Sequence, residues 1–309
     1  MKELDILSVN ISEKKGIVKK PVESVTINGT GIEGDAHAGV WHRQISLLAH
    51  ESIERAEKKV NTCFPPGTFA ENLTTSGIEL GQTSILDRFV NDEVEMEVTQ
   101  IGKKCHTNCA IGQQIGDCIM PAEGIFCRTI KGGKVKKGTK FKYVPKIFKV
   151  TIIVLSDRAA SGVYEDKSGK LIGKLTRDWF NGKNMKVETN TIIIPDEKDQ
   201  LAAVLRDSFE HNTDIIFTSG STGIGERDIA PETIIPFLDK QITGIMELVR
   251  VKYGMKNPNA VISRSVAGTK GKTLLFALPG NPKAVNEYLT EIFSVLFHSI
   301  LMLHGINGH

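Results

Sequence analysis

The segment Lys149-Val150-Thr151-Ile152-Ile153-Val154-Leu155-Ser156-Asp157-Arg158 decides how the second half of the chain is read. Its apolar, β-branched run is of buried-strand type, and it breaks into polar residues at what would be the carboxyl end of the strand. Downstream, Gly169 to Phe180 carries Leu171, Leu175, Trp179 and Phe180 at helical spacing, so the order is strand, loop, helix. The order then recurs. Val187 to Ile194 reads as a strand, Glu197 to His211 as a helix, and Asp214 to Phe217 as a short strand running into Thr218-Ser219-Gly220-Ser221-Thr222-Gly223. A later strand, Thr273 to Leu278, enters Pro279-Gly280-Asn281-Pro282 before a final apolar helix. This alternation predicts an α/β sandwich with a largely parallel sheet over residues 148–309.

Towards the N-terminus the style changes near Tyr143 to Phe148. Up to Val144 the chain consists of short alternating or β-branched runs broken by Gly, namely Glu23 to Ile27, Gln44 to Leu48, Val94 to Val98 and Gly138 to Val144. Residues 1–145 are therefore expected to form a mainly β, barrel-like domain. One short helix is predicted over Glu51 to Lys59, where Glu51 precedes Arg55 at the favourable helical spacing. A length of 309 residues accommodates two such domains.

The bulk properties narrow the function classes. A net charge of +3 with mixed signs is too small to predict nucleic-acid or membrane affinity, and 6% aromatic residues argue against nucleobase stacking. Glu3 and Asp5 interrupt any secretory signal, and no run reaches the roughly 18 apolar residues of a membrane span, so a cytoplasmic location is expected. Five cysteines, Cys63, Cys105, Cys109, Cys118 and Cys127, all fall in the N-terminal half, an odd number that favours reduced thiols.

In open parallel sheets, ligands sit outside the carboxyl ends of the strands. Four loops there carry suggestive residues: Ser156-Asp157-Arg158, Pro195-Asp196-Glu197, the 218–228 loop ending in Glu226-Arg227-Asp228, and Pro279-Gly280-Asn281-Pro282-Lys283. The Gly/Ser/Thr loop offers N–H groups and hydroxyls to a phosphate, although it lacks the Lys of a Walker A loop. Asp196 and Asp228 suit Mg²⁺ shared with a triphosphate; they equally suit helix capping, which does not exclude metal binding. Arg158 and Lys283 read either as solvated loop charges or as phosphate partners.

Ser156 to Gly162 followed by Asp166-Lys167, Ile194-Pro195-Asp196-Glu197, Thr218 to Gly223 with Arg227-Asp228, and Leu278-Pro279-Gly280-Asn281-Pro282-Lys283 together resemble the molybdopterin adenylyltransferase (MoaB/Mog) family over nearly all of 148–304. The resemblance implies a three-layer domain, usually trimeric, that transfers AMP from Mg-ATP to molybdopterin. It assigns Asp196 and Asp228 to catalysis and Mg²⁺. It assigns Ser219, Gly220, Ser221, Thr222 and Gly223 to phosphate, and Ser156, Asp157, Arg158, Pro279, Gly280, Asn281 and Lys283 to nucleotide and substrate. Two positions depart from the family's pattern: Ser221 stands where the loop has its second Gly, and Ala230 where a Thr is usual. If position 221 needs a positive φ, a Cβ costs about 1 kcal/mol or more.

In the first half, Lys104-Cys105-His106-Thr107-Asn108-Cys109 sets a thiol among Lys103, Lys104 and His106, which favours the thiolate and suits a nucleophile, a persulfide carrier or a soft-metal ligand. Zinc competes, but no paired Cys-x-x-Cys follows. Together with Gly31 to Gly39, His42 to Leu47 and Pro66 to Leu73, this segment resembles the MOSC domain over about residues 5–144. That resemblance implies binding of molybdenum cofactor or its sulfur, with Cys105 catalytic and His37, His42, Arg43, Asn72 and His106 at the cofactor. Two folds that point to one cofactor make other molybdenum cofactor biosynthesis proteins the expected partners. Competing readings are a non-catalytic molybdopterin carrier and a cofactor-dependent reductase acting through the first half.

Overall fold

The computed structural model describes residues 2–103 and 118–306, and the chain divides into two compact units, Met1–Lys146 and Ile147–His309. Cys105, His106 and Cys109 lie outside the described residues.

The first unit contains β1 (Glu3–Ile11), β2 (Lys20–Val22), β3 (Ser24–Asn28), β4 (Gly31–Ile32), β5 (Ile45–Ala49), β6 (Leu73–Ser76), β7 (Arg88–Val90), β8 (Glu95–Ile101), β9 (Ile125–Lys131), β10 (Gly133–Lys136) and β11 (Lys140–Val144), with a helix over His50–Val60. The main sheet runs β11-β7-β8-β9-β5-β6-β1-β2, and pairing of β1 with β11 closes seven of these strands into a barrel. Closure leaves no free edge on those strands. Leu4, Ile6 and Val9 of β1 all enter the core, which strict alternation forbids. A register shift against β6 between Ile6 and Ser8 restores the face. The helix buries Ile53 and Ala56 and ends on Asn61 in the left-handed region, a residue type that tolerates it.

In the first unit Lys19 pairs with Asp35, both side chains being fully buried. The Asp35 carboxylate also accepts the backbone N–H groups of Ser12 (3.0 Å) and His37 (3.0 Å). Burial alone would raise the Asp35 carboxyl, but its donors, His37 and Lys19 foremost, hold it well below the usual carboxylate range.

The second unit contains β12 (Ile147–Leu155), β13 (Lys186–Ile194), β14 (Ile215–Ser219), β15 (Lys240–Gln241), β16 (Ala267–Lys270) and β17 (Thr273–Leu278) in the order β13-β12-β14-β17-β16-β15. The first four are mutually parallel; β16 and β15 complete the sheet antiparallel. The sequence does not mark these last two, because Ala267-Gly268-Thr269-Lys270 lacks an apolar alternation and is extended by pairing with β17. Strand β14 continues through Thr218 and Ser219, beyond the expected Phe217, for the same reason: both residues remain in the ladder with β12 and β17.

Helices cover both faces. Ile152 and Val154 meet the Ser168–Asn181 helix, which comes close because Gly169 and Gly173 carry no side chain: a Cβ at Gly169 would lie 2.6 Å from Val154. Ile153 and Leu155 point the other way, into a cluster with Leu201 and Leu205 of the Lys198–Glu210 helix and Ala230 and Ile234 of the short helix after β14. The chain moves from β12 outward to β13 and then back across β12 to β14. The order therefore reverses at β12, the position at which open α/β sheets form a crevice at their carboxyl ends.

The buried pair gives a stability prediction. Lys19→Met strands a buried carboxylate and should destabilise the first unit by about 3–5 kcal/mol at pH 7, read from denaturant unfolding followed by Trp41 fluorescence in a Trp179→Phe background. Adding Asp35→Asn should recover much of that loss; no recovery would mean that Lys19 acts through packing of its stem.

Candidate functional site

At the crevice, the peptide at Gly220 crosses directly over the end of β12. With φ +103°, a Cβ there would sit 2.3 Å from the Leu155 carbonyl oxygen, so only glycine fits. Gly280 also neighbours Gly220, an added Cβ there lying at ordinary contact distance, 3.4 Å, from the Gly220 Cα. The Gly220 N–H donates to Leu278 O (2.9 Å) and the Ser219 hydroxyl to Pro279 O (3.3 Å). The ends of β12, β14 and β17 are thereby held together.

Beside this crossing lies a cavity of about 420 Å³ lined by Leu155, Ser156, Arg158, Tyr164, Asp166, Lys167, Ser168, Ser219, Gly280 and Asn281 among others. Its cations are Arg158 and Lys167, both over the Tyr164 ring at 5.5 and 5.9 Å from the centroid. Asn281 caps the Pro282–Leu303 helix by accepting the Lys283 N–H (2.8 Å), so the positive end of a long helix opens on the cavity. Ser156 caps the turn Asp157–Ala160 through Ala159 N–H (3.2 Å). Asp166 accepts the Gly169 N–H (2.9 Å) and the Ser168 hydroxyl (3.1 Å), which anchors the next helix. Lys283 is exposed and is not among the cavity-lining residues, and Thr222 is buried.

The two aspartates belong to the neighbouring loop cluster. Asp196 and Asp157 hold each other reciprocally: Asp157 N–H donates to Asp196 Oδ2 (3.2 Å) and Asp196 N–H to Asp157 Oδ1 (3.1 Å). Partial burial raises the Asp196 carboxyl above its usual range, while Arg227 lowers that of Asp157. Two adjacent carboxylates are thus driven apart in proton affinity. Asp228 accepts the Gly225 N–H (2.8 Å) and lies against Gly223, where a Cβ would meet its Oδ2 at 2.6 Å.

Ser221 adopts φ +58°, so the positive-φ requirement foreseen for a glycine is met by a serine. Its hydroxyl offsets the strain by donating to Arg227 O (2.8 Å) and accepting the Ile229 N–H (2.8 Å), closing the 221–229 loop on itself. Arg264, which carries no signal in the sequence, secures the loop from outside by donating to Gly223 O (2.6 Å) and Asp228 O (3.0 Å). Tyr164 likewise gains a place in the site only through folding, and folding gives Arg227 and Lys167, which the sequence motifs contain without a role, their partners.

In the first unit, Trp41 is the centre of a cationic patch. Arg43 and Lys15 lie over its ring at 4.9 and 5.4 Å, His37 stacks on it at 6.5 Å, and its indole N–H donates to His37 O (2.8 Å). Arg43 Nε is buried without a hydrogen-bond partner among the described residues. The His42 carbonyl accepts the Thr99 hydroxyl (2.6 Å). Asn72 is buried in the barrel wall, its amide engaged by Ser46 and by Asn10 O.

These features define an α/β domain with a cation-lined crevice at its strand ends, preceded by a β-barrel domain. The family model described as a probable molybdopterin binding domain matches residues 151–298, and the MOSC domain model matches 34–142. A molybdopterin adenylyltransferase of Helicobacter pylori is 32% identical over 157 residues, covering 50% of this chain and 88% of the relative. A molybdopterin adenylyltransferase of Pyrococcus furiosus is 36% identical over 166 residues, 51% of this chain and 92% of that one. A molybdenum cofactor biosynthesis bifunctional protein of Chlorobaculum tepidum is 34% identical over 175 residues, 56% of this chain but 53% of its own length. The chain belongs to the molybdopterin adenylyltransferase family of molybdenum cofactor biosynthesis, with a MOSC domain fused ahead of it.

The Ser221 clasp is testable by two substitutions. Ser221→Ala keeps the strained Cβ and loses both hydrogen bonds, so it should destabilise the second unit by about 1–2 kcal/mol; Ser221→Gly relieves the strain and should lose less. Equal unfolding midpoints for Ser221→Ala and the parent protein would remove the clasp.

Proposed function

We propose that the second unit, a three-layer α/β sandwich of this family, transfers AMP from Mg-ATP to the terminal phosphate of molybdopterin. The observation that carries this reading is the crevice at the reversal of strand order, where a cationic cavity and a carboxylate-bearing loop cluster share the Gly220 crossing. A phosphate oxygen of molybdopterin attacks the α-phosphorus of ATP, the bond to the pyrophosphate oxygen breaks, and pyrophosphate leaves. Protein groups act by placement and charge. Arg158, Lys167 and the helix N-terminus at Asn281 neutralise phosphate; Ser156 and Ser219 offer hydroxyls; the 219–223 backbone shapes the loop. Asp196 and Asp228 would hold Mg²⁺, which supplies charge neutralisation across the nucleotide phosphates. Their chemistry suits it, because a Mg²⁺ shared with phosphates takes only one or two protein carboxylates, which Asp196 and Asp228 supply.

For the first unit, the reading is binding of molybdenum cofactor or its sulfur. The Arg43 Nε, without a hydrogen-bond partner among the described residues, with Lys15 and His37 around a flat indole, suits an anionic pterin phosphate, and Cys105 supplies the sulfur chemistry in this reading. Self-association, as trimers in this family's pattern, is supported by Leu248 and Val251, exposed apolar residues at helical spacing on Thr243–Gly254, and by the exposed Met255 that follows the helix.

Incubation with ATP, Mg²⁺ and molybdopterin should yield adenylylated pterin and pyrophosphate; tight pterin binding without pyrophosphate would favour a carrier. Asp228→Asn keeps an acceptor for Gly225 N–H, so the loop should persist while turnover falls by at least about tenfold. Undiminished turnover would remove Asp228 from the reaction.

A further inference from the structure

We infer that Arg227 is a positioning residue for this reaction, tying the loops after β12, β13 and β14 into one platform and fixing Asp196 through Asp157. The inference rests on the adenylyl-transfer reading. Arg227 stands on the β14 loop and grips Asp157 of the β12 loop bidentately, Nη2 to Oδ1 at 2.8 Å and Nε to Oδ2 at 3.2 Å. Its remaining Nη1 donates to Glu197 of the β13 loop at 2.9 Å. Its own carbonyl is held by the Ser221 hydroxyl at 2.8 Å, so the root of the side chain is anchored as well as its tip.

An isolated exposed ion pair does little. This one differs in kind, because one planar guanidinium meets two carboxylates from two other loops, and the fork geometry admits no equivalent with an ammonium. Asp157 passes the constraint on: its Oδ1, which Arg227 grips, also accepts the Asp196 N–H, and its own N–H donates to Asp196 Oδ2. The chain of contacts thus ends on the carboxylate assigned to Mg-ATP. Charge points the same way. Asp157, Asp196 and Glu197 would otherwise present three neighbouring carboxylates to a polyanionic nucleotide, and Arg227 neutralises the two that are not needed for the metal.

Steady-state kinetics and amide hydrogen exchange on the full chain test this. Arg227→Ala should raise KM for Mg-ATP by about tenfold, with KM for molybdopterin nearly unchanged, and should speed exchange at the Asp157 and Asp196 amides. Arg227→Lys should behave like Arg227→Ala, because it cannot form the fork. Adding Asp157→Asn to Arg227→Ala should recover a large part of the loss, since it removes the uncompensated charge and keeps an acceptor for Asp196 N–H. A merely structural arginine would show no such recovery and an equal fall for both substrates; either result overturns the inference, as does unchanged exchange at Asp196. Should the parent protein release no pyrophosphate, the adenylyl-transfer reading falls by itself; faster Asp196 exchange together with weaker calorimetric binding of Mg-ATP in Arg227→Ala would then still support the platform, and the lack of either would overturn it.

Discussion

The second unit depends on one close approach, that of the backbone at Gly220 to the Leu155 carbonyl oxygen at the end of β12. No side chain fits between them. Because the chain passes there, the β14 loop lies across the end of its neighbouring strand, and Gly280 can close on it from β17. Three strand ends that a looser turn would splay apart are held at one point. The cavity lies beside that point, and the carboxylate loops adjoin it.

The strain of such a tight loop has to be absorbed locally. At Gly220 the missing side chain absorbs it. At Ser221 a Cβ remains in the left-handed region, and two hydrogen bonds across the loop offset a cost of about 1 kcal/mol. The same hydroxyl therefore explains how a serine can stand where the family's pattern has glycine, and why the loop closes on Arg227. Function and loop stability are coupled through that residue.

The first unit solves a related problem by burial. The segment between β4 and β5 contains no regular structure, yet Asp35 within it gathers Lys19 and two backbone N–H groups. A fully buried pair of this kind is a poor source of net stability but a strong constraint on geometry, since each charge has few other places to go. His37 and Trp41 inherit their positions from it.

Much of this was legible in the sequence alone. The buried-strand run at 149–155, the helical spacing at 169–180 and the strand entering Pro279 follow from short-range periodicity, which depends only on neighbouring residues. Glycine at 220 and 280 was readable as loop chemistry, and Asp196 and Asp228 as carboxylates at strand ends. What sequence could not reach were relations between distant segments. Arg264 holds a loop about forty residues before it, Arg227 joins Asp157 and Glu197, and Asn72 turns inward to Ser46 and Asn10. Each is an exposed or polar residue with no periodic partner nearby. Its role is decided by which strand lies beside which, and that order, β13-β12-β14-β17, is set by packing apolar faces on both sides of the sheet rather than by any local preference.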